Sequence, residues 1–512
     1  MKKIILSFLA LGAHFIYSQE TNIGDALRYG VESLNGTARY RAMGGAFGAV
    51  GGDLSSLNVN PAGSSIFNNN QAAVSATSFN IYNNANYFGT SVKSNDNTLD
   101  INQLGAVFVF KDQSAKSGWN KFTLGLNYEK VSHLDNTINS KGTNPFHSMG
   151  DYFLNKAQGI DVSYLETQPG ESIGSLYNYL GENYNFDAQQ AMLGYQGYVF
   201  DEDTSTSATN DYWTNVPTGG NYYHRNSITS KGYNGKFTAN ISGSYMDRLY
   251  IGMNLNFMFT DYTRTSSLYE SNNNLPYSSG NTLLAAQFDN QLYTYGSGFS
   301  MNFGTIYKLK NNSRIGFSYE TPTWYRLNDE LTQRLQTLKT DGTTESNINV
   351  NPGLTNVYPT YKIQTPSKLT GSFAYVFGKN ALLSIDYIYK DYAKTKFKPT
   401  NDGLYNYLNN SIKNVLSDNY ELRLGGEYKI KQWSLRAGYR FEQSPYKNDY
   451  VMGDLSAYSG GLGYNFGGSR LDLSYTNEHR NYNQYLLTSG LNDSARIRNY
   501  NNNVTLTYVI NF

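Results

Sequence analysis

Trp433-Ser434-Leu435-Arg436-Ala437-Gly438-Tyr439-Arg440-Phe441-Glu442 alternates without a fault between apolar or aromatic residues and polar, charged or glycine residues. Successive side chains of a strand point to opposite faces, so this stretch has one face free of charge and one that carries Arg436, Arg440 and Glu442. The segment just before it repeats the pattern, with Tyr420, Leu422, Leu424, Gly426 and Tyr428 set against Glu421, Arg423, Gly425 and Glu427. Ile251 to Phe259 and Val504 to Phe512 alternate in the same way. Counting outward from these, fourteen strands are expected, near 71–82, 101–111, 119–130, 234–247, 248–264, 288–309, 313–326, 360–378, 380–393, 418–430, 432–444, 454–467, 469–481 and 499–512.

A soluble sandwich with one wet face would alternate too, so the connections have to decide. They segregate by length. Asp247-Arg248, 310–312, Gly378-Lys379, Lys431 and Gly467-Gly468 are short, whereas 131–233, 265–287, 327–359 and 394–417 are long. Short turns on one side and long loops on the other describe an outer-membrane barrel, with apolar residues toward lipid and polar residues toward the lumen. Aromatics crowd the expected strand ends, as in Trp433, Tyr439 and Phe441 or Tyr387, Tyr389 and Tyr392, where an interfacial girdle would sit. The expected fold class is therefore all-β and transmembrane.

Composition agrees. The 512 residues hold 41 basic and 40 acidic side chains and no cysteine, which removes the basic excess of a nucleic-acid binder and any disulfide or thiolate-metal framework. Charged residues are 16%, against roughly a quarter in an average soluble domain. Tyr 47, Phe 26 and Trp 4 are far too many for a disordered chain. The one apolar run, Ile4 to Ile16, follows Lys2-Lys3 and precedes Tyr17-Ser18-Gln19, so residues 1–18 are expected to be a signal peptide cleaved near Ser18, with export to a Gram-negative outer membrane. Residues 71–512 then form the barrel, with 131–233 as a long extracellular loop.

Fourteen strands enclose a lumen that needs a plug or a use. Residues 19–70 abandon period two. They contain a run of small residues that includes Gly44 and Gly45, then Asp53-Leu54-Ser55-Ser56-Leu57-Asn58-Val59-Asn60-Pro61-Ala62-Gly63. A nucleotide loop is excluded, because no GxGxxG and no Lys-Ser/Thr follows the glycines. The small residues, Asp53, the serines and Asn60-Pro61-Ala62-Gly63, all ahead of a strand, resemble the hatch of the FadL/TodX outer-membrane transport family, here a Bacteroidetes-like member. The resemblance implies a fourteen-stranded barrel plugged by its N-terminus, with Asn60, Pro61, Ala62, Gly63, Gly44, Gly45 and Asp53 in hatch and gating roles. It also implies uptake of long-chain fatty acids or other hydrophobic molecules through loop capture, lumen binding, hatch movement and lateral exit. Phe512, ending an amphipathic strand, resembles the C-terminal signal read by the barrel assembly machinery. The expected partners are thus a hydrophobic small molecule, outer-membrane lipid and that machinery, for a monomeric chain.

Two further groups stand out. Ile173, Leu176, Tyr177 and Leu180 fall at helical spacing, as do Ala188, Ala191, Met192 and Tyr195 after a candidate N-cap at Asp187. Together they suggest either a ligand-capturing groove or a lid packed on itself. Glu421, Arg423, Arg436, Arg440, Arg470 and Asp472 point into the lumen by parity, since a charge facing lipid costs about 2–4 kcal/mol at mid-membrane. They read as a paired network or as the lining of a hydrophilic channel. His133, His147, His224 and His479 show no metal-ligand or haem spacing, so no metal, cofactor or enzymatic activity is expected. The alternatives to hydrophobic uptake are a FadL-like barrel of the type IX secretion system that binds protein cargo, or a haemin or hydrophilic solute channel.

Overall fold

The computed structural model describes residues 23–112 and 117–512. The expected signal peptide, residues 1–18, lies outside the described residues. Fourteen antiparallel strands close into a barrel: β1 Gln71–Tyr87, β2 Thr90–Lys111, β3 Trp119–His133 continued as Asn136–Asn144, β4 Tyr222–Tyr245, β5 Leu249–Ser271, β6 Thr282–Lys308, β7 Ser313–Glu320 continued as Trp324–Thr340, β8 Tyr361–Gln364 continued as Lys368–Phe377, β9 Ala381–Asp391, β10 Asp418–Ile430, β11 Trp433–Glu442, β12 Met452–Asn465, β13 Ser469–Tyr485 and β14 Ser494–Asn511. Each strand pairs with its sequence neighbours, and β14 returns to β1 with Gln71 opposite Asn511. No helix among the described residues is long and apolar enough to cross a membrane. The strands do the crossing, and closure leaves no edge unpaired in lipid.

The alternation of the sequence becomes two faces. Val504, Leu506, Tyr508 and Ile510 are exposed on the outer surface, whereas Thr505 and Thr507 are fully buried inside. Trp433, Leu435, Leu424 and Tyr428 likewise face out, and Arg436, Arg440, Glu421, Arg423 and Glu427 face in. Aromatic pairs ring both ends of the apolar band, with Tyr387–Tyr420 and Tyr439–Tyr458 at the loop end and Trp433–Tyr464 at the turn end. Tyr392 does not join them. The chain leaves β9 at Asp391 and turns inward through Tyr392–Lys394, so this ring is buried in the lumen and its hydroxyl donates to the Gly30 carbonyl at 3.2 Å.

Several strands run well past the expected limits. β2 starts at Thr90, joined to β1 by Phe88-Gly89, and β4 starts at Tyr222, so the long loop proper spans 145–221. Beyond the lipid both faces of a strand meet water or protein, and the apolar-polar alternation that marks a membrane strand has no reason to persist. These extensions carry a cap that holds α3 Gly150–Ala157, α4 Ile173–Asn183 and α5 Phe186–Gln196. Leu176, Tyr177, Leu180, Ala191 and Met192 are buried there against Phe153, Phe200, Phe288 and Leu335.

The lipid-facing assignment has a measurable consequence. Leu506→Arg on the outer face of β14 should cost about 2–4 kcal/mol of folding stability near mid-membrane, read as a shift in denaturant-driven refolding into vesicles. Thr507→Ser, on the inner face, should leave the curve within error.

Candidate functional site

The lumen is filled by the chain's own N-terminus. From Ile23 to Asn70 it runs through α1 Ile23–Gly30, α2 Ala38–Ala42 and two 3-10 turns, Leu54–Asn58 and Pro61–Ile66, almost wholly buried. Local chemistry sets each turn. Thr37 caps α2 by accepting from the Tyr40 amide, and its hydroxyl donates to Asp53 at 2.6 Å. Asp53 in turn caps Leu54–Asn58 by accepting from the Ser55 amide. Asn60 caps Pro61–Ile66 by accepting from the Ala62 amide, while its own amide group donates to the carbonyls of Gly48 at 2.8 Å and of Thr305 on the wall at 3.0 Å. Proline at the first helical position needs no amide partner there. Gly63 lies against Ser56 and Gly51, where a β-carbon would stand 2.7 Å from the Ser56 hydroxyl.

Between residues 42 and 67 the plug is seated backbone-first. Its carbonyls accept from wall side chains: Ala42 from Ser459 at 3.1 Å, Ala46 from Ser384 at 2.7 Å, Val50 from Arg314 at 2.8 Å, Leu57 from Asn254 at 2.7 Å and Pro61 from Asn240 at 3.0 Å. The Gly48 amide donates to Asp386 at 2.9 Å. Close approach of this kind requires glycine in the wall. A β-carbon on Gly252 would meet the Pro61 carbonyl at 2.5 Å, on Gly316 the Gly48 carbonyl at 2.3 Å, and on Gly438 the Gly44 amide nitrogen at 2.1 Å. Gly44 and Gly45 themselves have φ of 60° and 74°, the left-handed region that other residues rarely enter.

The lumen charges pair. Arg436 reaches Glu427 and Asp472, each at 2.7 Å, and Arg39 of the plug joins Glu427 at 2.8 Å. Arg470 pairs with Asp472 at 2.6 Å. Higher up, Arg423 and Arg440 share Glu421, and Arg440 also meets Glu442 at 2.7 Å. Removing one member of such a buried set leaves an uncompensated charge, so the network ties plug to wall. All six charges named from the sequence enter it.

Above the seated part, residues 23–36 form an arm whose carbonyls at Arg28, Gly30, Val31, Glu32 and Gly36 also accept from side chains of the wall and its loops, and which adds apolar contacts. Ala26, Leu27 and Tyr29 pack among Met258, Tyr325, Leu327, Tyr361, Ile363, Tyr392, Phe397, Tyr405, Leu408 and Ile412. Strands β7 and β8 supply part of this chamber, and α6 Gly403–Val415 closes its outer side. At its floor Glu32 meets Lys368 at 3.0 Å and Lys390 at 3.8 Å, and Lys368 also meets Glu320 at 2.7 Å. Burial pushes the Glu32 carboxyl up, but Lys368, Lys390 and Lys236 outweigh it and hold the group well below the usual carboxylate range. Cavities of about 20 and 30 Å³ flank it. Beside the floor the wall is interrupted: Thr321-Pro322-Thr323 in β7 lies opposite Thr365-Pro366-Ser367 in β8, and the Thr323 amide donates to the Thr365 hydroxyl instead of to a ladder carbonyl.

Of the loop residues singled out, Leu176, Tyr177, Leu180 and Met192 face the core of the cap, while Ile173 and Tyr195 lie half-buried at its margin. The N-cap of α5 is Asn185, not Asp187, which pairs with Lys156 at 2.6 Å. Sequence reasoning missed the chamber and Glu32 with its lysines. The only sequence signal for the lysines was inward parity on β8 and β9.

A closed fourteen-strand barrel with its N-terminus threaded through the lumen and its loops capped defines a plugged outer-membrane transport barrel. Residues 204–503 match the model of the outer membrane protein transport protein family (OMPP1/FadL/TodX), and the chain belongs to that family. In structure it is similar to a Pseudomonas aeruginosa FadL homologue, at 12% identity and a TM-score of 0.55 over 94% of this chain and 100% of that one. It is also similar to the Pseudomonas putida toluene transporter TodX, at 15% identity and a TM-score of 0.50 over 94% and 99%. No curated protein sequence matches it.

The glycine contacts lead to a prediction for the plug. Gly438→Val should unseat it, since no side chain fits between β11 and Gly44. Single-channel conductance in planar bilayers should rise several-fold over wild type while heat-modifiable gel migration is kept, and Gly468→Val in the exposed turn, where a β-carbon meets nothing within 4 Å, should change neither.

Proposed function

We propose that this protein takes up long-chain fatty acids or chemically similar hydrophobic molecules across the outer membrane, after export by its N-terminal signal. The observation that carries this reading is the aromatic chamber at the top of the lumen, an apolar volume directly beneath the loops and occupied by a segment of the chain itself. Apolar ligand sites take this form, a mostly hydrophobic concavity with a few polar groups for orientation. The cap makes the first contact, with Ile173 and Tyr195 at its margin and Leu176, Tyr177, Leu180 and Met192 as the apolar surface uncovered when it lifts. The ligand then displaces the arm from the chamber.

Exit is lateral, through the wall at the paired interruptions of β7 and β8. A barrel resists opening because every strand shares a ladder with its neighbours, and at this level Pro322 and Pro366 have no amide to donate, which leaves the Thr365 amide to the Thr323 carbonyl as the backbone bond across the interruption. Tyr319, Trp324 and Leu369 stand exposed to lipid around this place, so the molecule leaves into the membrane without crossing water. Asn60, Pro61, Ala62 and Gly63, with Gly44, Gly45 and Asp53, set the plug shape whose rearrangement passes the ligand on to that exit.

The test is uptake of labelled oleate in cells that express the protein, its double variant Asn60→Ala/Pro61→Ala, or neither. The variant should lose most of the uptake, while outer-membrane level and heat-modifiability stay near wild type. Equal uptake by both, above the strain that lacks the protein, would reject the gating role of Asn60-Pro61. Wild-type uptake no higher than that strain would reject fatty-acid transport and favour a barrel that binds secreted protein domains.

A further inference from the structure

Where the barrel closes on itself, its lipid-facing band ends in a row of asparagines. On β14 the outward residues run from Phe512 through Ile510, Tyr508, Leu506 and Val504, and the next one is Asn502. From Phe512 to Asn502 a strand tilted by about 40° rises about 26 Å, against an apolar band of about 25 Å in outer-membrane barrels. Asn502 lies in register with Asn477 of β13 and Asn80 of β1, and Asn80 with Asn97 of β2. The Asn477 amide donates to Asn502 at 2.7 Å, the Tyr475 hydroxyl donates to it at 2.8 Å, and Asn80 donates to Asn97.

Above this row the surface turns aromatic and then basic. Tyr500 stands between His479 and Tyr82, with ring centroids 4.6 and 6.3 Å away. The next outward residues on β14 are Arg498 and Arg496, and Lys93 follows on β2, all three exposed and in no ion pair among the described residues. Asn481 and Asn84 flank Arg498 in register, and their side-chain oxygens have no hydrogen-bond partner among the described residues. Over 477–485, 494–502, 80–86 and 91–97 no outward position carries an acid. Strands β4 to β7 differ. Their outward extensions mix Lys231 and Arg334 with Asp261, Asp289 and Glu330, and Arg334 meets Asp289 at 3.5 Å.

Cations set directly above lipid lie at the depth of the outer-leaflet headgroups, and basic side chains at a membrane surface attract anionic ones. Tyrosine there joins an apolar face to a polar tip, and asparagine offers both donors and acceptors to hydroxyl and amide groups. A second copy of the chain fits badly. A two-fold contact through this face would set Arg496, Arg498 and Lys93 against themselves, with no acid to receive them.

We propose that the outer face of β13, β14, β1 and β2 binds the phosphorylated sugar headgroup of an outer-leaflet glycolipid. Phosphate sits on Arg496, Arg498 and Lys93, the sugar lies against Tyr82 and Tyr500, and its hydroxyl and amide groups meet the asparagines. The acyl chains run down over Val504, Leu506 and Leu99, the last 78% exposed. Because the site lies across β14 and β1, the bound lipid spans the seam of the barrel. The inference stands on the position of the barrel in the outer membrane and is independent of what the lumen carries.

Native mass spectrometry of the purified full-length protein in detergent compares binding of diphosphorylated lipid A, the same lipid with its phosphates removed, and phosphatidylglycerol. Wild type should bind lipid A about tenfold tighter than either of the others. Lys93→Gln/Arg496→Gln/Arg498→Gln should lose that preference, while Arg225→Gln/Lys231→Gln/Arg334→Gln on β4 to β7 keeps it. Asn80→Leu/Asn502→Leu should weaken lipid A and leave phosphatidylglycerol unchanged, which separates the sugar from the charge. These side chains lie on the outer surface, so heat-modifiable migration should be kept in every variant. Lipid A bound equally by wild type and the first variant, an equal loss in both charge variants, or phosphatidylglycerol bound as tightly as lipid A would overturn the site. A lipid-free dimer of wild type that the first variant abolishes would overturn it in favour of self-association.

Discussion

Hydrocarbon offers no partner for a backbone amide, and the rest of this molecule depends on that constraint. It forces the strands into a closed ladder, and a ladder of fourteen strands encloses more space than its own inward side chains can fill. The lumen therefore needs a second component, which is the N-terminal segment, and the segment brings its own unpaired backbone groups with it. The wall answers with inward Ser, Asn, Asp and Arg side chains aimed at plug carbonyls and amides, and with glycines where the two backbones touch. The charges that lipid excludes from the outer face find their use on the inner one, where Glu427 is shared between Arg39 of the plug and Arg436 of the wall.

The plug has two parts. From residue 42 to 67 it is held by its backbone, at short range and from many strands, and moving it would break most of those bonds at once. The arm from 23 to 36 is held by its backbone as well, through the carbonyls of Arg28, Gly30, Val31, Glu32 and Gly36, and adds side chains in an apolar chamber and ion pairs at Glu32. Apolar contacts are non-directional, whereas each hydrogen bond and ion pair to the wall fixes the arm in one position. The interruption of β7 and β8 lies beside the arm, across a shared cavity.

Much of this was legible from residue order. Strand parity assigned the faces of Trp433 to Glu442 and of Val504 to Phe512 because a lipid-facing position tolerates no charge. Short turns marked the same side of the membrane for the same reason, since they have nothing to cover. Legibility failed where lipid stopped: Thr90 to Asp100 is strand, but both of its faces are largely polar, and nothing in period two reveals it. Tyr392 looked like one more girdle aromatic because parity says nothing about a chain that has just turned inward. The seat of the plug was hidden because Gly252, Gly316 and Gly438 read as ordinary small inward residues. Only their opposite numbers, Pro61, Gly48 and Gly44, give them meaning. The Glu32–Lys368 pair joins residues 336 positions apart, and single-sequence reasoning has no way to bring them together.

The first and last strands meet at a seam, and the plug lies across it. The Ala38 amide donates to the Thr507 hydroxyl of β14 at 2.7 Å, the Gly36 carbonyl accepts from Asn102 of β2 at 2.8 Å, and Thr507 also meets Ser75 of β1 at 2.8 Å. A slip of one residue between β14 and β1 would turn Thr507 out toward lipid and strand the Ala38 amide without an acceptor. The segment that stoppers the finished pore thus also proofreads its closure: only the barrel zipped in the right register offers the plug both halves of its socket.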